Sequence, residues 1–118
     1  MAGYTTIPKV QQIENADVIT KALDDDADES IDTDVDDAVV LTASYWMRSI
    51  FNARPDLAAN TGLDVATYSI GAYPAVEWMC SLLVADIAKE RQGGAEVTDD
   101  HKTIQWCYRV RDGLAEVG

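Results

Sequence analysis

Residues 74–92, PAVEWMCSLLVADIAKERQ, constrain the fold more than any other stretch. Between Ala75 and Ala88 only Glu77, Ser81 and Asp86 are polar. Val76, Met79/Cys80, Leu83 and Ile87/Ala88 recur at helical spacing, while Trp78, Leu82 and Ala85 widen the apolar surface beyond one stripe. A helix that is apolar over most of its circumference is normally a buried one. Pro74 suits the first turn, where its missing N–H costs nothing, and Gly93–Gly94 supply the stop. Lys89 and Arg91 complement the dipole at the far end. Spanning a bilayer takes about 20 apolar residues, which this run does not have. The pattern predicts the central helix of a small soluble core.

The segments on either side read as helices that lean on it. Thr6 can cap a first turn around Pro8, with Ile7, Val10 and Ile13 spaced three apart. Asn15 can cap a second piece carrying Val18, Ile19, Ala22 and Leu23, with Asp17 near its positive end. A long helix over 33–53 follows, capped by Asp32 or Thr33, with a stripe of Val35, Val39, Thr42, Trp46, Ile50 and Ala53. Ala38, Leu41, Tyr45 and Phe51 lie beside that stripe, as a broad core face or as a subunit contact. Thr98 is the expected cap of a last helix, with Ile104, Cys107/Tyr108, Arg111 and Leu114 on one face and Trp106 and Val110 on another.

Between the two long helices, residues 55–73 form the longest stretch without periodicity. Turn signals stand at Pro55–Asp56, Asn60–Thr61–Gly62 and Gly71, and Val65–Ile70 reads as a short extended piece. Connections this long are uncommon in compact domains and tend to carry function. The whole is expected to be all-α: a single domain over 1–118, a bundle of about four helices with one long irregular loop.

Charge narrows the function. Twenty-one acids face nine bases, a formal net charge of −12, with Asp favoured and Lys scarce. Such a surface repels nucleic-acid phosphates and anionic membranes. Strong salt makes this much self-repulsion tolerable, because the screening length shrinks to about 3 Å at 1 M. The composition therefore resembles that of proteins from salt-loving archaea and their viruses. Nine of the acids crowd into 24–37, where Asp24, Asp26, Asp28, Ser30 and Asp32 fall in the register of a calcium loop. Glu29 replaces the turn-forming Gly and Val35 the closing Glu, so a solvated acidic turn is expected instead of a metal site.

No catalytic pattern is legible. Cys80 and Cys107 sit inside apolar helical registers and read as buried free thiols. His101, the single histidine, reads as a surface residue near a helix start. Glu77 and Asp86 are too far apart along the helix for paired acid–base work. Phosphate loops, zinc spacings and basic–aromatic patches are absent, so neither catalytic residues, a metal nor a cofactor is expected. The opening MAGYTTIPKV lacks the pattern of a signal peptide, and assembly in the cytoplasm is the expectation.

The order of features resembles the small head-to-tail connector, or adaptor, proteins of tailed viruses. The resemblance is carried by Tyr4-Thr5-Thr6 and Ala16-Asp17-Val18 in the opening, and by the Asp-rich turn leading through Ile31-Asp32 to Ala43-Ser44-Tyr45-Trp46. Ala85-Asp86-Ile87-Ala88 and the closing Ile104-Gln105-Trp106-Cys107-Tyr108 complete it. It covers nearly the whole chain as a pattern, and the 55–73 loop is longer than typical. It implies a structural virion protein at the head–tail junction, assembled with itself in a ring of about twelve copies. That ring would sit on the viral portal, meet a neck or tail protein, and let genomic DNA pass without specific binding. Leu41 and Tyr45 would face the neighbouring subunit, and the loop carrying Tyr68, Ile70 and Tyr73 would face portal or tail. The alternative is a small acidic cytoplasmic regulator that mimics DNA or masks a basic partner.

Overall fold

A computed structural model describes residues 3–24 and 33–118. Among these described residues six α-helices run in chain order: α1 Ile7–Ile13, α2 Ala16–Ala22, α3 Thr33–Phe51, α4 Pro55–Ala58, α5 Pro74–Glu90 and α6 Lys102–Arg111. There is no strand among the described residues, so the all-α expectation holds. None of their helices is long and apolar enough to cross a membrane.

Helix α5 is the hub, packed by α1, α2, α3 and α6. Its Val76, Cys80, Leu83, Val84 and Ala88 have no exposed surface, as the run of apolar residues requires. Its C-terminus closes through two overlapping backbone bonds, Gly93 N–H to Glu90 O and Gly94 N–H to Lys89 O, both 3.0 Å. The turn needs Gly93 in the left-handed region at φ +86°, and a Cβ on Gly94 would fall 2.8 Å from the Lys89 carbonyl oxygen. Both glycines are therefore required.

The two N-terminal helices form where their caps stand. The Thr6 hydroxyl accepts the Lys9 N–H, and the Asn15 side chain accepts from Asp17 and Val18. At α6 the cap differs from expectation. His101 takes that position, its ring accepting the Thr103 N–H, while Thr98 holds the preceding turn through the Asp100 N–H.

Three further expectations are corrected. On α3 the inward face is Val39/Val40, Ala43/Ser44, Met47/Arg48 and Ile50/Phe51, whereas Thr42 and Ala53 are exposed and Trp46 is half-buried. Small and polar residues turn inward there because other segments bond them: Ser44 Oγ accepts the Tyr4 N–H at 2.9 Å and donates to Val40 O at 2.7 Å. On α6 Val110 is fully buried and Leu114 lies out in solvent, since the helix ends at Arg111. Phe51 meets Trp106 edge-on at 6.1 Å and ties α3 to α6.

The third correction concerns the loop. Residues 55–73 contain α4 and two 3₁₀ turns, Thr61–Leu63 and Val65–Thr67, in place of an extended piece. A lone strand here would leave its backbone without a ladder. The turns satisfy it locally and put Leu63, Val65 and Tyr68 inward together. Residues 25–32, which carry most of the calcium-like register and the expected α3 cap at Asp32, lie outside the described residues.

Candidate interaction surface

The long loop is fixed from inside by two charged side chains, one from each long helix. Arg48, buried on α3, donates to the carbonyls of Leu57 at 2.9 Å, Ala58 at 3.3 Å and Asn60 at 3.4 Å, and to Asp64 Oδ1 at 2.9 Å. A guanidinium suits this task because its planar fork offers five donors in fixed directions. At the end of the four-residue helix α4 the Leu57 carbonyl also accepts the Asn60 N–H at 3.0 Å, and Arg48 adds a second, charged donor there.

Glu77, buried in the first turn of α5, holds the second half. Its Oε2 accepts the Tyr68 hydroxyl at 2.6 Å and the Gly71 N–H at 2.7 Å, and its Oε1 lies 3.4 Å from Lys9 Nζ on α1. Burial alone would push this carboxyl up, but the bonds from Tyr68, Gly71 and Lys9 outweigh it and hold the group below its ordinary value. The Tyr68 phenol is pushed the other way, by burial first and then by its bond to Glu77. Tyr4 stacks edge-on to Tyr68 at 5.1 Å and donates to Leu63 O at 2.5 Å, so the N-terminal segment also clamps the loop.

The five residues expected at interfaces fare differently. Tyr45 is 53% exposed on the outer face of α3, with Leu41 half-buried one turn before it. Ile70 stands 44% exposed at the loop tip. Tyr68 is drawn inward by Glu77, which removes it from the surface. Tyr73 is half-buried, its hydroxyl accepting from Asn60 Nδ2 at 2.8 Å and its N–H bonding Tyr68 at 3.0 Å. Trp78, expected to widen the buried apolar surface of α5, is 55% exposed. Its neighbours Glu77 and Ser81, the polar breaks in the apolar run, are the residues turned inward. That choice is made by Tyr68, Gly71 and Thr5, whose hydroxyl lies 2.6 Å from that of Ser81.

Trp78 lines a groove of about 130 Å³ between α1 and the start of α5, together with Lys9, Ile13, Glu77 and Ser81. Lys9 at the groove and Gly71 in the loop tip bond the same buried carboxylate. The loop tip is held by buried bonds within the chain itself. A preordered surface loses less conformational freedom on docking than a mobile one.

A second cleft, of about 370 Å³, is lined by Asp86, Lys89, residues 94–98, Asp100 and His101. His101 is not surface decoration, because its ring is nearly enclosed. Nε2 lies 2.6 Å from Asp86 Oδ2, and Nδ1 accepts the Thr103 N–H at 3.1 Å. With Nδ1 an acceptor, the Nε2 proton is donated to Asp86. Nε2 thus joins the start of α6 to α5, while Nδ1 caps α6 itself. Among the described residues no three His, Cys, Asp or Glu side chains converge as metal ligands. Both cysteines are free and buried, and burial pushes the Cys80 thiol up to about 12.

No protein-family model matches the chain, and no curated protein or solved structure matches it either.

Proposed function

We propose that this protein is a structural subunit of a head-to-tail connector. In that reading it forms a ring on the portal of a tailed virus, extends the DNA channel and offers its outer edge to a neck or tail protein. The observation that carries the reading is that the two exposed aromatic side chains among the described residues stand on different elements. Tyr45 lies on the outer face of α3 with Leu41 half-buried beside it, and Trp78 lies on α5 by the groove against α1. A subunit that uses two different surfaces associates head to tail, and such association closes into a ring when its rotation allows. The acidic composition supports it further, because carboxylates lining a channel repel phosphate and let DNA slide.

In the same reading the protein resides at the head–tail junction of the virion, with about twelve copies matching the portal. The composition fits a virus of a salt-loving host. Electron microscopy and sedimentation in about 2 M KCl, where charge repulsion is screened, test it. The expected result is a ring with a central channel, alone or seated on the portal of the native particle. A discrete monomer or dimer away from any channel would overturn it in favour of an acidic binding module.

A further inference from the structure

We infer that the Trp78 groove between α1 and α5 receives the outer face of α3, carrying Leu41 and Tyr45, from a second copy of this chain. The inference rests on the ring reading and names the two surfaces that would meet.

The first reason is electrostatic. The outer face of α3 is led by Asp34, which is exposed, and Asp37, and it carries no cation, since Arg48 is buried on the opposite side. Docking that face on a chain of net charge −12 is opposed by repulsion over most of the surface. The Trp78 groove is an exception, because Lys9 offsets Glu77 there. The larger cleft sets Asp86, Glu96 and Asp100 against Lys89, whose ammonium already pairs with Glu14. An acidic helix is repelled there and tolerated at the groove. Lys9 remains 41% exposed after pairing with Glu77, and an ammonium has three donors, so it can also meet a neighbour's Asp34 or Asp37.

The second reason is the kind of apolar surface on offer. Trp78 with Ile13 on one side and Tyr45 with Leu41 on the other provide the aromatic anchors that dominate contact energies when water is excluded around them. One patch lies in a groove and the other on a helix, which is the pairing of an amphipathic helix with a groove. The α3 face is not self-complementary in charge, since two copies of it would bring four aspartates together. The contact is therefore heterologous and extends from copy to copy.

The test uses Trp78→Glu and Tyr45→Glu, both at exposed positions, with far-UV circular dichroism as the control for folding. Each variant alone is expected to lose assembly in high salt. Mixed together they are expected to form a 1:1 pair of twice the 12.9 kDa chain mass and nothing larger, because one intact junction remains. Trp78→Ala, which adds no charge, is expected to weaken assembly by about tenfold or more. Variants that assemble like the wild type, or a mixture that yields no pair, would overturn the inference while leaving the ring standing. A wild-type chain that never assembles would overturn both.

Discussion

The Tyr68 hydroxyl donates to the Glu77 carboxylate across 2.6 Å, fastening the end of the long loop to the first turn of the central helix. That carboxylate is buried and also takes the Gly71 N–H and Lys9, so three segments meet on one charge. Because these bonds hold its pKa below the ordinary 4.5, the ionised form stabilises the fold. The contribution is fully present above the unfolded value and is lost as pH falls through the lower folded one. Glu77→Gln is expected to cost about 1.5–3 kcal/mol at neutral pH, the worth of hydrogen bonds to a charged group. Urea melts of wild type and variant should converge as pH drops below 4.5. A gap that is constant with pH would mean that charge is not what holds the loop.

Arg48 does the same for the first half of the loop. Arg48→Met keeps the apolar stem and removes all four donated bonds, leaving the Leu57 carbonyl only its bond from the Asn60 N–H. A loss of about 2–4 kcal/mol is expected, together with faster hydrogen exchange and proteolysis confined to residues 55–64. Helix content should not change. Protection of that segment equal to wild type would show that the loop is fixed by other means.

Leu83 is fully buried at the middle of α5. Leu83→Ala is expected to cost about 2–5 kcal/mol through lost transfer energy and an unfilled cavity. A denaturation measurement showing less than about 1 kcal/mol would mean that neighbouring side chains collapse into the space.

What was legible in the sequence was what local chemistry decides. The caps Thr6 and Asn15, the Gly93–Gly94 stop and the inward Leu83 each depend on residues within one turn of themselves. The inward face of α3 was not legible, because counting apolar residues gives no weight to Ser44 or Arg48. Their burial is made possible by the Tyr4 N–H and by carbonyls of the loop, which are distant in sequence. Trp78 shows the same limit in reverse. The largest apolar side chain in the run faces water because Glu77 and Ser81, beside it on the helix, are claimed by the loop and by Thr5. Of the expected interface residues Tyr45 and Ile70 are exposed and Leu41 half-buried, whereas Tyr68 is turned inward by Glu77, a partner nine residues away that its own surroundings in the sequence do not reveal.

The last prediction concerns salt, where two effects oppose each other. Salt weakens the exposed ion pairs of Arg54 with Asp56 and Glu116 and of Arg111 with Asp112. Such pairs are worth about 0–1 kcal/mol each, so little is lost. Salt also screens the repulsion of twelve uncompensated negative charges, which acts over the whole surface. Near the start of α3 the crowding is visible at one residue. Burial, and then the neighbouring Asp37, push the Asp36 carboxyl up to about 6. A raised carboxyl pKa means that Asp36 gains stability on protonation, as pH falls from about 6 toward the ordinary 3.8, the opposite sign to Glu77. The repulsive effect is the larger, so the thermal midpoint at pH 7 is expected to rise between about 0.1 and 2 M KCl. Asp36→Asn should raise the low-salt midpoint and reduce its dependence on salt. A midpoint unchanged by salt in the wild type would show that the charge is already balanced by the fold, and would remove the physical ground for placing this chain in a salt-rich cell.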